Sequence, residues 1–423
     1  MYYVAAPILC FEKKKEHRVM KKALIITAIS GFLPQFEMND VRILQEYGFQ
    51  IHYASNFKNP VYSFEPEDLE KEGIILHHVD IKKMPFFITE NIKALKQIRD
   101  IIDQEKIDIV HCHNPVGAVV GRLAACHSKQ KPYVIYTAHG FHFYKGAPWR
   151  NWLLYYPVEK WLAGMTDLLI TINQEDYERA KKFRLKKDGR VERIHGVGVD
   201  FKRYVPKPEM YAGVRKSIGI PEEGFHIVTA AELNDNKNHK VIIRAIRELG
   251  RKDIYYSICG KGNNEKRLQR MIQNYGLEDQ VRLLGYRTDM DDILQSADCF
   301  AFPSIREGLG IAAVEALATG VPLIVAENRG TREYTRNQYN GIVCQSDDVN
   351  GFKEAIEKLY TDKVYRNRLA ANCRENAMHF SVEATGRIMK RIYGKVVESL
   401  GEDTMGTFAS PEDAVTEVKE GTV

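Results

Sequence analysis

No stretch of this 423-residue chain reaches the roughly 20 consecutive apolar residues that a membrane-spanning helix needs. The most apolar candidate, Tyr2 to Phe11, has half that length. Its basic residues follow the apolar run, the reverse of a secretory signal. A Cys-x-x-Cys pair is also missing. The seven cysteines are odd in number and scattered, which argues against a disulfide framework and for free thiols in a reducing cytoplasm. No run of like charge is long enough to serve as a nucleic-acid-binding arm. With 44% hydrophobic and 28% charged residues, the chain is neither fibrous nor largely disordered.

What is present is repeated alternation. Apolar runs of strand length at Ala23–Thr27, Gln50–Ala54, Asp108–His111, Tyr133–Thr137 and Leu168–Ile172 are separated by helical periodicity at Asp40–Tyr47, Ile92–Glu105 and Val116–Ser128. A cluster of Pro206, Pro208, Gly219 and Pro221 interrupts the pattern. It then restarts with strands at His226–Ala230, Tyr255–Cys259, Val281–Leu284, Cys299–Pro303 and Leu323–Ala326. The helices between them lie at Lys240–Leu249, Lys266–Tyr275, Asp289–Ser296 and Leu309–Ala318, and another begins at Glu354–Tyr360. Strands alternating with crossover helices predict parallel sheets. The expected fold class is therefore α/β, with two Rossmann-like doubly wound domains facing each other across a cleft. The expected division is an extension over 1–20, a first domain over 21–200, a linker over 201–222 and a second domain over 223–384. A C-terminal helix over 385–400 and a disordered tail over 401–423 complete it. Met20-Lys21-Lys22 leading into the first strand suggests that the extension is dispensable.

The richest stretch is PSIREGLGIAAVEALATGVPLI, residues 303–324. A strand ends, the loop Glu307-Gly308-Leu309-Gly310 follows, and a helix begins at once. Unpaired amides and the dipole at a helix amino end suit a diphosphate, and glycines let backbone approach a ligand closely. Glu307 and Glu315 flank that helix end, and a carboxylate can accept two hydrogen bonds from a vicinal diol.

With these residues the chain resembles glycosyltransferase family 4, retaining enzymes of the GT-B fold, in the texture of bacterial capsular and exopolysaccharide enzymes. The resemblance covers roughly residues 21–400. It implies that Glu315 binds the nucleotide ribose, that Glu307 contacts the donor sugar, and that the amides of Gly308, Leu309 and Gly310 hold sugar and phosphate oxygens. Lys237 in Ala231–Asn238 matches the family's diphosphate-neutralising lysine. The partner arginine is replaced by Glu232, which shifts the neutralisation toward Lys237 and the helix end, with Arg306 or Lys261 as helpers. Gly285, Tyr286 and Arg287 resemble the loop that packs on the nucleobase, and Gly31 resembles a first-loop glycine beside the diphosphate. His139, in TAHG, is implied as a contact to the donor sugar or its phosphate, and His113 and Asn114 as acceptor-side residues. Glu307, Lys237 and His139 form the expected catalytic set.

The histidines of His111-Cys112-His113 and His139-Gly140-Phe141-His142 place no two ligands on one helical face, and no acidic partner is nearby in sequence. No metal site and no cofactor are therefore expected. The donor is expected to be a nucleoside diphosphate sugar, with UDP favoured, and the acceptor a polyprenyl-linked saccharide. Residues 1–200 carry 29 Lys+Arg against 24 Asp+Glu, whereas the remainder is balanced. The aromatic stretch from Phe141 to Trp161, with Lys145, Arg150 and Lys160 interleaved, reads either as a core helix or as an interfacial segment. The second reading would put the protein at the cytoplasmic face of a membrane. Two other functions stay open at this point: a sugar-nucleotide epimerase or hydrolase on the same fold, and a non-catalytic sugar-nucleotide-binding partner.

Overall fold

The structure is a computed structural model that describes residues 20–58 and 64–401. Apart from Met20 and Gly401, the expected extension and tail lie outside the described residues.

The first domain carries a seven-stranded sheet. Its strands are β1 (Lys22–Ile26), β2 (Gln50–Ser55), β3 (Ile75–His78), β4 (Ile109–His113), β5 (Tyr133–Ala138), β6 (Leu168–Thr171) and β7 (Arg190–Arg193). They lie in the order β3-β2-β1-β4-β5-β6-β7 and pair in parallel. The second domain carries β8 (Phe225–Ala230), β9 (Ile254–Cys259), β10 (Val281–Gly285), β11 (Cys299–Phe302), β12 (Leu323–Ala326) and β13 (Gly341–Cys344). These are ordered β10-β9-β8-β11-β12-β13, again all parallel. The central strands are buried along their length, as parallel sheets covered by helices on both faces require.

Chain order reverses between β1 and β4 in the first sheet and between β8 and β11 in the second. Ligands of doubly wound sheets bind beyond the carboxyl ends of the strands at such switch points. The segments after β1, β4, β8 and β11 are therefore the ones topology aims at a site.

Several elements go beyond the sequence reading, β13 and helix Lys363–Ala377 among them. The edge strands β3 and β7, ILHH and RVER, have too little apolar character to announce themselves. Helix Tyr211–Ser217 lies inside the stretch read as a linker. Its buried Arg215 fixes it to the second domain, with Nη2 2.5 Å from Asp298 Oδ2 and Nε donating to Ser296 O at 3.0 Å. The C-terminal helix, expected over 385–400, runs over Val382–Ser399 and returns to the first domain, where Lys390 Nζ meets Glu46 Oε2 at 2.8 Å and Tyr393 Oη donates to Asp40 Oδ2 at 3.0 Å. Among the described residues the six cysteines are free thiols, and only Cys126 is exposed. No helix of the described residues is long and apolar enough to cross a membrane.

Candidate functional site

Lys237 follows β8 and Glu307 follows β11, so the switch point brings them together. Lys237 Nζ lies 2.6 Å from Glu307 Oε1. Both line a cavity of about 400 Å³ between the domains, together with His139, Gly308, Leu309 and Gly310. Lys237 is the one Lys or Arg of that lining. The helix after the loop runs from Ile311 to Ala318. Its mouth opens on the cavity through Gly310, Ile311 and Ala312. Among the described residues, the amides of Gly308, Leu309 and Gly310 donate no hydrogen bond. The helix end is thus an unfilled set of donors at its dipole's positive end.

The two glycines are there for different reasons. Gly310 caps the helix with φ +96°, in the left-handed region that disfavours other residues. Gly308 lets the loop approach the first domain, because a Cβ there would sit 2.0 Å from the His139 carbonyl oxygen. Asn173 Nδ2 donates to Gly308 O across the cleft at 2.9 Å, while the same residue caps the helix beginning at Gln174.

Glu315 projects from the second turn into an adjoining cavity of about 430 Å³, lined also by Tyr204, Arg42 and Gln35. The Tyr204 hydroxyl hydrogen-bonds its carboxylate, and burial raises the Glu315 pKa to about 7 against that bond. Both acids therefore face interdomain space on either side of one helix end.

The other expected residues divide. His139 lines the first cavity, and burial lowers its pKa to about 4, so it is a neutral imidazole at pH 7. His113, expected on the acceptor side, is fully buried and lines neither cavity; it meets the cleft through its hydrogen bond to His139 and its ring contact with Phe32. Asn114 is turned to the backbone, accepting from the Ala28 amide at 3.2 Å. Gly31 is buried and absent from both linings, where its neighbour Phe32 stands instead in the first. Gly285 ends β10, and Tyr286 beyond it is half exposed. Arg287 is bound to Asp289, 2.5 Å away, and lines a separate cavity beside helix Tyr211–Ser217. Glu232 is exposed and outside both cavities, as is Lys261, and Arg306 lines neither. His111 is structural: its nitrogens meet Tyr393 Oη at 2.9 Å and Thr137 Oγ1 at 2.8 Å.

Two features escaped the sequence reading. Glu37, at the end of a π-helical turn over Leu33–Glu37, stands 3.5 Å from both His113 and His139. Burial and the nearby Asp40 charge push its carboxyl well above the usual range. The second feature is Arg329, which ties the domains together. Its guanidinium reaches Asp176 Oδ1 at 2.5 Å, Phe141 O at 2.6 Å and Glu307 O at 3.2 Å. Neither residue belongs to a local motif, and only the folded topology unites their partners.

Two family models match the chain: "Glycosyl transferase 4-like" over residues 23–173 and "Glycosyl transferases group 1" over residues 213–379. The provisionally named glycosyltransferase EpsD of Bacillus subtilis (strain 168) is 37% identical over 382 residues, spanning 89% of this chain and 97% of that protein. An Escherichia coli protein named UDP-Gal:alpha-D-GlcNAc-diphosphoundecaprenol alpha-1,3-galactosyltransferase is 28% identical over 324 residues, or 73% of this chain and 83% of its own length. Among solved structures, Anabaena HepE in complex with UDP and glucose superposes with a TM-score of 0.72. It is 19% identical and spans 90% of this chain and all of that one; this likeness bears on the fold.

Proposed function

Because the chain belongs to the group 1 glycosyltransferases and has their GT-B fold, we propose that it moves a sugar from a UDP-sugar to a hydroxyl of a polyprenyl-diphosphate-linked saccharide, with retention of anomeric configuration. One observation carries this reading. Lys237, the open amides of Gly308–Gly310 and the two acids Glu307 and Glu315 surround a single helix end in the interdomain cleft.

In this reading the diphosphate lies at the mouth of helix Ile311–Ala318. The amides and Lys237 carry the charge that grows on the departing phosphate, without a divalent cation at that point. Lys237 exchanges Glu307 for phosphate, which frees the Glu307 carboxylate to accept from sugar hydroxyls. Glu315 exchanges the Tyr204 hydroxyl for the ribose diol. Neutral His139 offers one ring nitrogen to the sugar or the phosphate. Glu307 is the one carboxylate lining the sugar cavity, and in this reading it is occupied by sugar hydroxyls. This supports a front-face displacement in which the leaving phosphate takes the acceptor proton and no enzyme-bound sugar forms. The protein's contribution is then positioning and electrostatic stabilisation.

The E. coli relative's name specifies a UDP-sugar and a lipid diphosphate acceptor, which supports both substrate classes here. Helix Trp149–Ala163 supports a membrane-borne acceptor. Its Trp152 and Tyr156 pack inward on Phe143, while Trp149, Leu153 and Trp161 face out at 69%, 69% and 57% exposure beside Arg150 and Lys160. Apolar side chains flanked by cations are the pattern of an interfacial helix on anionic lipid.

The experiment is a screen of UDP-, GDP- and ADP-sugars for thermal stabilisation, followed by transfer assays with the stabilising donor and polyprenyl-diphosphate-linked sugars. Stabilisation by a UDP-sugar with transfer to the lipid-linked acceptor is the expected result. Stabilisation by none of the three, or product from donor alone, would remove the proposal.

A further inference from the structure

Glu37, His113 and His139 come from three separate segments: the π-helical turn after β1, the end of β4 and the residue just past β5. They converge on one point. His113 Nδ1 and His139 Nε2 are 3.0 Å apart, and Glu37 Oε1 is 3.5 Å from each. That carboxylate oxygen is buried and has no hydrogen-bond partner among the described residues, and the same is true of His113 Nε2. A buried acceptor in that condition costs about 1–3 kcal/mol, and 3.5 Å is too long to be a good hydrogen bond. The chain's own groups therefore leave the cluster under-satisfied.

The triangle of donor atoms has a second meaning. A tetrahedral ion with bonds of about 2.0–2.1 Å holds its ligand atoms about 3.3–3.4 Å apart. Edges of 3.0, 3.5 and 3.5 Å bracket that spacing, with all three atoms already turned toward one another. Two imidazole nitrogens and one carboxylate oxygen are the donors that suit zinc-like ions, whereas magnesium and calcium take oxygen-only sets. Phe32 packs against both rings, tilted to His113 and edge-on to His139, with centroids 5.9 and 5.0 Å away, which keeps the point dry on that side.

We propose that Glu37, His113 and His139 form a site for one divalent transition-metal ion of the zinc class, beside the sugar cavity and separate from the diphosphate. The ion engages Nε2 of His139, which leaves the ring proton on Nδ1. It thereby fixes the tautomer of a side chain that lines the cavity. Stabilisation of the leaving group stays with Lys237 and the helix end.

The test is titration of metal-stripped full-length protein with Co²⁺, read by its visible ligand-field absorption, with equilibrium dialysis for stoichiometry. One ion per chain is expected, with the absorption of a tetrahedral centre, displaced by Zn²⁺. Glu37→Gln and His113→Gln should each weaken Co²⁺ binding by at least about 100-fold while keeping the wild-type circular dichroism. Lys237→Ala should bind Co²⁺ as the wild type does, so a failure of the transfer mechanism and a failure of the metal site remain distinguishable. Equal Co²⁺ affinity in wild type and both glutamine variants, or no binding to wild type at micromolar ion, overturns the proposal. Should the variants not fold, zinc-edge anomalous scattering from Zn²⁺-soaked wild-type crystals decides. A peak among the three side chains supports the site, and its absence there refutes it.

Discussion

Lys237 is the residue on which the electrostatics of the cleft turn. Its ammonium sits 2.6 Å from Glu307 and is the one Lys or Arg lining the sugar cavity. Lys237→Ala should therefore lower kcat by roughly 10²–10³-fold, the usual cost of removing one group that stabilises developing charge. Full turnover in steady-state kinetics would contradict the assigned role. Glu315 gives a pH signature. Its pKa is raised to about 7, so the folded state holds a proton that the unfolded chain releases near pH 4.5. Its contribution to stability is full below that value and is lost as pH rises through about 7. Glu315→Gln carries no such loss. Comparing urea melts at pH 5 and pH 8, the variant should gain about 2 kcal/mol on the wild type at the higher pH. A difference independent of pH would show that Glu315 is not a buried, desolvated carboxyl.

The elements most legible in the sequence were those whose burial is complete. Ile109–His113 and Leu323–Ala326 are buried throughout and read as strands from their apolar runs alone. β3 and β7 were not legible, because an edge strand needs pairing on one side only and RVER satisfies that with a single apolar residue, Val191. The loop and helix from Glu307 to Ala318 were legible because their glycines and acids sit within one short segment. Glu37 and Arg329 were not, because their partners come from β4, β5 and the far domain. Helix Trp149–Ala163 was readable in composition but ambiguous in direction, since its aromatic residues point both ways. Its outward face gives a prediction at this scale. Replacing Trp149, Leu153 and Trp161 together with serine should abolish co-flotation with vesicles containing anionic lipid. Transfer to a short, detergent-soluble acceptor should persist. Unchanged flotation would show that this face does not meet lipid.

At the scale of the whole molecule, two buried links are among those that hold the domains in register. Helix Val382–Ser399 crosses back to pack beside Met38–Glu46, and Arg329 bridges the cleft to Asp176, both buried. Removing one partner of a buried ion pair leaves the other charge uncompensated, at a cost of about 3–5 kcal/mol. Arg329→Ala should cost that much in denaturant melts, while the double variant Arg329→Ala/Asp176→Ala should cost less than the sum of the single ones. Additive costs would mean that the bridge does not couple the domains. The same closeness of the domains sets the donor site, because Gly308 touches His139 across the gap. The most direct measurement is a crystal structure of the chain with UDP. The account predicts phosphate oxygens within hydrogen-bonding distance of Lys237 Nζ and the amides at Gly308–Ala312, with both ribose hydroxyls on Glu315. UDP seated elsewhere, with Lys237 still bound to Glu307 and Tyr204 still bound to Glu315, would contradict it.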